Sequence, residues 1–289
     1  MTPRITVVGS VNLDIVARGP RLPRPGETVT GAVLARYPGG KGANQALAAR
    51  RLGAEVQMVA RVGADSAADE ALALLREAGV DLAHCVVDPD AATGVALIAV
   101  SADGENQIVV APGANARLAP AQVEGLPPGD ALLCQLEVPV PTVVHAAVHT
   151  PGFVALNLAP AIDVPVALLE HADLLVVNDT EALHYGEALH RGGGLVAVTH
   201  GARGATLLRG GREVAQARPP RIEPVDTTGA GDSFVAALLV ALVEHRPLDA
   251  ALAFACAAGA AAATTAGAQP SLPTRAVVEQ LLREGATQR

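Results

Sequence analysis

Residues 153–178 read FVALNLAPAIDVPVALLEHADLLVVN, and their pattern points to one class of fold. Two runs rich in Val and Leu, FVALNLA (153–159) and DLLVVN (173–178), flank a segment with helical character from Val164 to Ala172. Short continuous apolar runs are typical of strands that are buried on both faces of a parallel sheet. The stretch therefore predicts a strand–helix–strand unit whose two strands run in the same direction.

The same alternation recurs along the chain. Further apolar runs occupy residues 5–9, 56–63, 131–137 and 194–201, and segments with helical character occupy residues 43–52, 66–78 and 142–148. This alternation predicts a doubly wound α/β fold with a mostly parallel sheet, formed as a single domain over residues 1–289. Ligands of such sheets bind at the carboxyl ends of the strands. We therefore expect a site near the polar residues that end or follow these runs, namely Glu137, Asn157, Asn178 and Thr199.

Two segments depart from the alternation. Residues 12–36 contain the Pro-rich stretch RGPRLPRPGE, and residues 93–112 predict a hairpin around Asp103 and Gly104. Together they predict a small antiparallel lid, which would close over a substrate and exclude water. The alternative is an extension at the edge of the large sheet.

Composition restricts the class of partner. The chain has 289 residues, 50% of them hydrophobic, and a formal net charge of -8, so it lacks the basic surface that nucleic acid or an anionic membrane requires. We see neither a secretory signal nor a membrane span. Cys85, Cys134 and Cys256 are too far apart in sequence for paired metal knuckles and too few for a disulfide framework. We therefore expect small-molecule partners and a cytoplasmic protein with reduced thiols.

A glycine-rich loop carries the strongest local signal. VDTTGAGDSF (225–234) leads into the apolar helical stretch FVAALLVALV. Its small residues allow a ligand to approach the backbone, and the free N–H groups at a helix start carry about +0.5 charge, which suits an anion. Asp232 lies at that start, where a carboxylate can take a proton from a hydroxyl. The alternative is that Asp232 only caps the helix.

Polar residues near the N-terminus suggest a second half of the site. In GSVNLD (9–14), Asn12 and Asp14 face the same way if the chain is extended, and such a pair can hold adjacent hydroxyls of a polyol. The alternative is that both residues form turns. The segment PGGKGANQALAA (38–49) combines a glycine turn with a helix start, but its glycine spacing is not that of a P-loop.

Taken in order, these segments resemble the ribokinase or PfkB-type carbohydrate kinase family. The resemblance covers about residues 5–275 and rests on GSVNLD, PGGKGANQALAA, GENQIVVAPGAN, LLCQLEVP, LNLAPA, NDTEA, THGARG, VDTTGAGDSFVAAL and GAQPS. It implies a ribokinase-like α/β fold with a small β-sheet lid. It also implies ATP-dependent phosphorylation of D-ribose at the 5-hydroxyl to D-ribose 5-phosphate, and a homodimer formed through the lid.

The resemblance implies roles for individual residues around the sugar. The base that deprotonates the primary hydroxyl would be Asp232, and the anion hole would be the turn Gly229, Ala230 and Gly231. The residues implied to bind the sugar are Asn12, Asp14, Gly40, Lys41, Asn44, Glu137 and Asp232. For Lys41 we expect the backbone to matter more than the charge.

The resemblance also implies a nucleotide site and two cations. The residues implied for ATP are Asn178, Thr199, Gly201, Gly204, Gly231 and Cys256. Magnesium would bind near Glu181 through water. An activating potassium ion would lie near Asp226, Thr228, Ala262, Thr265, Gly267 and Ser271. Cys256 stands where many family members have Asn or His beside the adenine, which leaves the nucleotide preference open.

Two other functions remain open from the sequence. A related kinase could act on fructose, deoxyribose or a nucleoside, although aromatic residues make up only 2% of the chain and a base is usually held by stacking. A sugar-binding regulator without catalysis is the second alternative. Asp232, the Gly229–Gly231 turn and Glu181 argue against it, because binding alone does not need them.

Overall fold

The computed structural model describes residues 2–127 and 129–287. Its strands form two sheets, a large one and a small one. The strands are β1 Arg4–Val8, β2 Asn12–Arg18, β3 Val33–Gly39, β4 Glu55–Gly63, β5 Asp81–Asp88, β6 Gly94–Val100, β7 Asn106–Ala111, β8 Ala131–Gln135, β9 Phe153–Asn157, β10 Leu174–Asn178, β11 Leu195–Thr199, β12 Ala205–Arg209 and β13 Arg212–Ala217.

Helices connect and cover the strands. They are α1 Lys41–Arg51, α2 Ser66–Ala78, α3 Val140–His149, α4 Val166–His171, α5 Asp179–Tyr185, α6 Ala230–Val243, α7 Leu248–Ala262, α8 Ala268–Ser271 and α9 Arg275–Thr287. Within the described ranges, none of these helices has the length and apolar character needed to cross a membrane.

The large sheet confirms the predicted fold class. Over the described residues its nine strands are ordered β13-β12-β11-β10-β9-β8-β1-β4-β5. The neighbours from β11 to β5 pair in parallel, and only β12 and β13 add antiparallel pairs at one edge. The predicted unit at 153–178 is β9, α4 and β10, with its two strands paired in parallel.

Helices pack on both faces of this sheet. Successive residues of β8 point to opposite faces, so Leu133 packs with the cluster that includes α1, α6 and α7, whereas Leu132 and Cys134 pack with α3 and α4. Helix α6 is apolar around its whole circumference, and its residues from Asp232 to Ala241 are all buried. The helix is therefore enclosed by protein from Asp232 onward, while Gly231 in its first turn is exposed.

The small sheet differs in one respect from the prediction. Its order is β3-β2-β6-β7, and its strands come from the two segments that break the alternation. The β2–β3 and β6–β7 pairs are antiparallel as expected, but β2 and β6 pair in parallel. The two strands come from separate segments: β2 follows β1 and β6 follows β5, and β1 and β5 both pair in parallel with β4 in the large sheet.

Candidate active site

The carboxyl edge of the large sheet gathers the polar residues that follow its strands. Glu137 follows β8, while Asn157, Asn178 and Thr199 end the neighbouring strands β9, β10 and β11. A cleft of about 250 Å³ opens between this edge and the start of α6. Its walls include seven of the predicted site residues, Lys41, Asn178, Glu181, Thr199, Gly229, Gly231 and Asp232.

Asn12 and Asp14 lie on one face of β2 and are both buried. The amide of Asn12 is held by Asn115, whose Nδ2 donates to Asn12 Oδ1 at 2.8 Å and to the Val11 carbonyl at 3.0 Å. Opposite Asn12 in β6 is Gly94, where a Cβ would lie 2.2 Å from Asn12 Oδ1. The pair therefore belongs to a regular strand, and the alternative that both residues form turns is wrong.

Asp14 has an unusual titration. Burial raises the pKa of its carboxyl group from 3.8 to about 7, and the negative charges of Glu137 and Asp232 add to the shift. The carboxylates of Glu137 and Asp232 are therefore close enough to Asp14 for their charges to affect its ionisation. Such an arrangement favours a ligand that donates several hydrogen bonds.

The start of α1 is completed by a carboxylate from another strand. Gly40 is the N-cap with φ +88°, and it offers no side chain to the free N–H groups of the helix. Glu137 Oε2 accepts from the Lys41 backbone N–H at 3.1 Å and from the Ser10 hydroxyl at 2.5 Å. A Cβ on Gly40 would lie 2.7 Å from the Asn12 backbone nitrogen, so the turn requires glycine. The turn thereby joins β2, α1 and the end of β8.

Asp232 is in the first turn of α6, but it does not cap this helix. The N-cap is Gly229, with φ +82° and no side-chain hydrogen bond. The Asp232 carboxylate instead accepts from Asn44 Nδ2 at 2.8 Å and from Gln45 Nε2 at 2.9 Å. Burial raises its pKa above the usual value, although the charge of Lys41 and these two hydrogen bonds work in the opposite direction. The capping alternative is therefore wrong.

The charge of Lys41 lies in the cleft, which differs from our emphasis on its backbone. Burial by itself would lower the pKa of the Lys41 ammonium. The carboxylates of Asp232, Glu137 and Glu181 have the larger, opposite effect, so the pKa is raised overall. Lys41 therefore stays protonated between the end of the cleft near Asp232 and the end near Glu181. This cation is placed to balance an anion in the cleft.

Asn178 and Glu181 form a capping box at the start of α5. Asn178 Oδ1 accepts from the Glu181 backbone N–H at 2.8 Å, and Glu181 Oε2 accepts from the Asn178 backbone N–H at 2.8 Å. Both residues also line the cleft. The sequence spacing thus has a structural role, and it fixes the direction in which the Glu181 carboxylate points.

The loop after β11 contains the other predicted nucleotide residues. Thr199 lines the cleft, and Gly201 and Gly204 form a short turn with φ +57° and +104°. A Cβ on Gly204 would lie 2.0 Å from the Ala217 carbonyl oxygen, so this position requires glycine. Cys256 is buried in α7 with its thiol 3.7 Å from the same carbonyl, and burial raises the pKa of the thiol to about 11.

The residues predicted for a monovalent cation lie on two segments that meet at Asp226. The Asp226 carboxylate accepts from the Thr228 backbone and hydroxyl and from the Gly267 backbone N–H. It also accepts from Arg18 of the lid, whose Nη2 is 3.2 Å away. These hydrogen bonds and the charge of Arg18 outweigh burial, so the pKa of Asp226 is lowered. The other predicted residues on these segments are Ala262, Thr265 and Ser271.

Several residues that shape the site were not predicted. Asn115 donates a hydrogen bond to Asn12. Ser10 donates to Glu137, and Arg18 donates to Asp226. Gln45 and Gln135 lie behind the base. One signal was available for Gln135, because it is an uncharged polar residue inside the apolar run ALLCQLE. Such a residue in a buried strand must find a hydrogen-bond partner.

Comparisons with known proteins agree with this geometry. The family model described as pfkB family carbohydrate kinase matches residues 2–275. The chain is similar to the ribokinase of Bacillus subtilis, with 40% identity over 96% of this chain and 99% of that protein. It is similar to the solved ribokinase of Thermotoga maritima, with a TM-score of 0.88, 32% identity and coverage of 97% and 99% of the two chains. It is also similar to the Arabidopsis thaliana ribokinase complexed with ribose and ATP, with a TM-score of 0.86, 31% identity and coverage of 98% and 99%. The chain belongs to the pfkB family of carbohydrate kinases.

Proposed function

We propose that this chain transfers the γ-phosphoryl group of ATP to the 5-hydroxyl of D-ribose, yielding D-ribose 5-phosphate and ADP. The observation that carries the proposal is the Asp232 carboxylate, which is buried at the start of α6 and accepts hydrogen bonds from the side-chain amides of Asn44 and Gln45. On one side of it lie the polar residues of the lid, and on the other side lies the cleft. The relatives named ribokinase support ribose as the acceptor.

Phosphoryl transfer requires mainly positioning and charge stabilisation. Asp232 accepts the proton of the sugar hydroxyl, whose oxygen then forms the new bond to the γ-phosphorus as the bond to ADP breaks. The backbone N–H groups of Gly229 and Gly231 stabilise charge on the phosphoryl oxygens, whereas the Ala230 N–H donates to the Thr227 carbonyl at 3.2 Å and supports the turn itself. Lys41 adds a positive charge from the opposite wall.

The sugar is held by residues whose hydrogen-bonding capacity is incompletely used. The Asn44 side chain donates through Nδ2 to Asp232, but its Oδ1 is buried and has no hydrogen-bond partner within the described residues. A buried acceptor of this kind is costly unless a ligand donates to it, and a sugar hydroxyl does so. Asn12, Asp14, Gly40 and Glu137 would complete the contacts with neighbouring hydroxyls.

On the nucleotide side, Asn178, Thr199, Gly201 and Gly204 would hold ATP, with Gly231 at its phosphates and Cys256 near the adenine. Magnesium would accompany the phosphates. Among the residues that the structure describes, no group of three His, Cys, Asp or Glu side chains is placed to bind a metal. This fits a magnesium ion held largely by phosphates and water, with Glu181 as the carboxylate that it approaches through water.

We also propose a potassium ion at the loop that leads into the turn at Gly229. The donor set is one carboxylate, Asp226, with the hydroxyl of Thr228 and neighbouring backbone carbonyls, which suits a hard monovalent cation. The loop meets the segment of Ala262, Thr265, Gly267 and Ser271 through the bond from Gly267 to Asp226. Removing potassium should lower both turnover and the melting temperature. Equal values in potassium and in Tris buffer would contradict the site.

The outer face of the small sheet supports a homodimer formed through the lid. Leu97 and Val109 are paired across strands on the face opposite Asp14, and Leu34 lies on the same face. Their side chains are 50%, 65% and 65% exposed, an apolar surface suited to a second copy. Light scattering should find a dimer that Leu97→Arg disrupts, whereas Leu183→Arg at an exposed position on α5 leaves it intact. A wild-type monomer would contradict the dimer.

We place the reaction in the cytoplasm, where ATP is available and thiols remain reduced. The three cysteines are free, which is consistent with such a compartment.

A panel of acceptors tests the proposed reaction. ATP and magnesium are supplied with D-ribose, 2-deoxyribose, fructose or adenosine, and ADP release is measured by a coupled assay. We expect the highest kcat/KM with D-ribose. A higher kcat/KM with adenosine or fructose would make that compound the substrate in place of ribose. Binding of ribose without turnover would favour the non-catalytic regulator.

Substitution of the base tests the mechanism. Asp232→Asn should lower kcat by about 10²- to 10⁴-fold, the usual contribution of a general base, while ribose binding remains measurable by calorimetry. The matched control is Asp249→Asn, because Asp249 is also in the first turn of a helix but is exposed. Retention of most turnover in Asp232→Asn would remove Asp232 as the base.

A further inference from the structure

Behind Asp232 lies a chain of three buried amides that the proposed reaction does not use directly. Gln135 Nε2 donates to Gln45 Oε1 at 2.6 Å, and Gln45 Nε2 donates both to Asp232 Oδ1 and to Asn157 Oδ1 at 2.9 Å. Asn157 Nδ2 in turn donates to the Val176 carbonyl at 3.2 Å. The chain therefore joins α1, β8, β9 and β10 to the first turn of α6.

The direction of every hydrogen bond in this chain is determined. An ionised Asp232 can only accept, so Gln45 must present its NH₂ group to it, and the Gln45 oxygen must then face Gln135. If the Gln45 amide were reversed, its oxygen would face the Asp232 carboxylate and Asn157 Oδ1. Gln135 opposes this reversal because its NH₂ group needs an acceptor at that place.

The location of these amides makes them costly without a purpose. Gln45 and Gln135 are both 0% exposed, and they lie among the apolar residues of α1 and β8. The glycine at position 9 makes room for the Gln135 side chain, because a Cβ there would lie 2.0 Å from Gln135 Oε1. Apolar side chains would fill the same volume without requiring partners. What these buried amides provide in return is a fixed orientation of the Asp232 carboxylate.

We propose that Gln45 is a positioning residue for the base, and that Gln135 keeps the Gln45 amide in the orientation in which it donates to Asp232. With Oδ1 held by Gln45 and Oδ2 by Asn44, the carboxylate cannot rotate, so it meets the sugar hydroxyl in one geometry. Gln45 also stabilises the ionised form of Asp232, which is the form that accepts the proton. This inference rests on the proposed kinase reaction and assigns Gln45 no contact with the sugar.

The test is the pH dependence of kcat in Gln45→Met, which retains an unbranched side chain without the amide. We expect kcat to fall about 10- to 100-fold and the acid limb of the profile to move up by about one pH unit, because the charged base loses a donor. The KM values for ribose and ATP should stay within about threefold, since Gln45 touches neither substrate. The other charged groups that face Asp232, namely Lys41, Glu137 and Asp14, are unchanged in this variant.

A second variant separates positioning from stability. Gln135→Met should lower kcat by about three- to tenfold with a smaller shift of the acid limb, and the double variant should be no worse than Gln45→Met, because Gln135 acts through Gln45. If Gln45→Met does not fold, the pH profile of Gln135→Met alone tests the proposal. An acid limb that is unchanged in Gln135→Met then overturns the proposal. The matched control is Gln57→Met, which removes from β4 an amide whose buried Nε2 has no hydrogen-bond partner among the residues that the structure describes.

The outcomes distinguish this inference from the proposed function. Wild-type protein without turnover on any acceptor overturns the kinase reaction itself. Wild-type turnover with an unshifted acid limb in Gln45→Met overturns only the role of Gln45. A fall in kcat that is fully accounted for by a lower melting temperature than that of the Gln57→Met control also overturns it, because a purely structural amide would behave in that way.

Discussion

The affinity for ribose should fall as the pH drops below neutrality, because Asp14, the proposed sugar ligand, is a much stronger hydrogen-bond acceptor when it is ionised. Burial and the charges of Glu137 and Asp232 raise the pKa of Asp14 to about 7. If only the ionised form binds, affinity falls by the factor 1 + 10^(pKa − pH), which is about 2 at pH 7 and about 10 at pH 6. Between pH 8 and pH 6 the dissociation constant should therefore rise about tenfold, equivalent to about 1.4 kcal/mol.

Isothermal titration calorimetry without nucleotide measures this directly and separates binding from proton transfer to Asp232. At pH 6, binding in buffers of different ionisation enthalpy should reveal the release of about one proton. Asp14→Asn should bind ribose more weakly, with little dependence on pH. A wild-type affinity that is constant between pH 8 and pH 6 would refute the reasoning, and an unchanged pH dependence in Asp14→Asn would assign the titration to another group.

Three further outcomes follow from the same geometry. Asp14→Asn should raise the melting temperature of the ligand-free protein at pH 8, with the gain shrinking toward pH 4. The reason is that the cost of an ionised Asp14 is fully present above its folded pKa of about 7 and disappears toward its unfolded value of 3.8. Gly94→Ala should raise the ribose KM about tenfold or more and spare the ATP KM, because its methyl group would displace the Asn12 amide. Arg18→Gln should change the ribose KM by less than about fivefold and remove part of its salt dependence, because its ion pair with Asp226 is partly exposed. Steady-state kinetics at low and high salt measures the last two.

The parallel core was predictable because local pattern and global fold agree there. Each apolar run predicted from 5–9 to 194–201 overlaps a strand of the large sheet. β5 was missed because it alternates exposed and half-buried residues at the edge of the sheet, so it lacks a continuous apolar run. The parallel pairing of β2 with β6 was missed because it depends on where two distant segments leave the large sheet, which no local pattern records.

The site was predictable where a residue type has few alternative uses. Asp232 stood out because a carboxylate after a glycine turn has a chemical reason, and the structure places it at the cleft. Gln45 was quoted within PGGKGANQALAA without a role of its own, since nothing in a helical stretch shows that its amide meets Gln135 from a strand 90 residues away. The three-residue spacing of Asn178 and Glu181 is that of a capping box, which the structure contains. From the sequence we predicted only a ligand-binding role for these two residues.

The position of the lid in the chain has an evolutionary consequence. β2 and β3 are inserted between β1 and α1, and β6 and β7 are inserted between β5 and β8, so each insertion leaves the carboxyl edge and returns to it. The insertion of β2 and β3 carries Asn12 and Asp14, whereas the candidate nucleotide residues at 178–204 come from the other half of the chain. Substitutions in the lid strands can therefore change the acceptor side of the site without altering the residues proposed to hold the phosphate donor. This separation offers a route to new acceptor sugars with an unaltered phosphate donor.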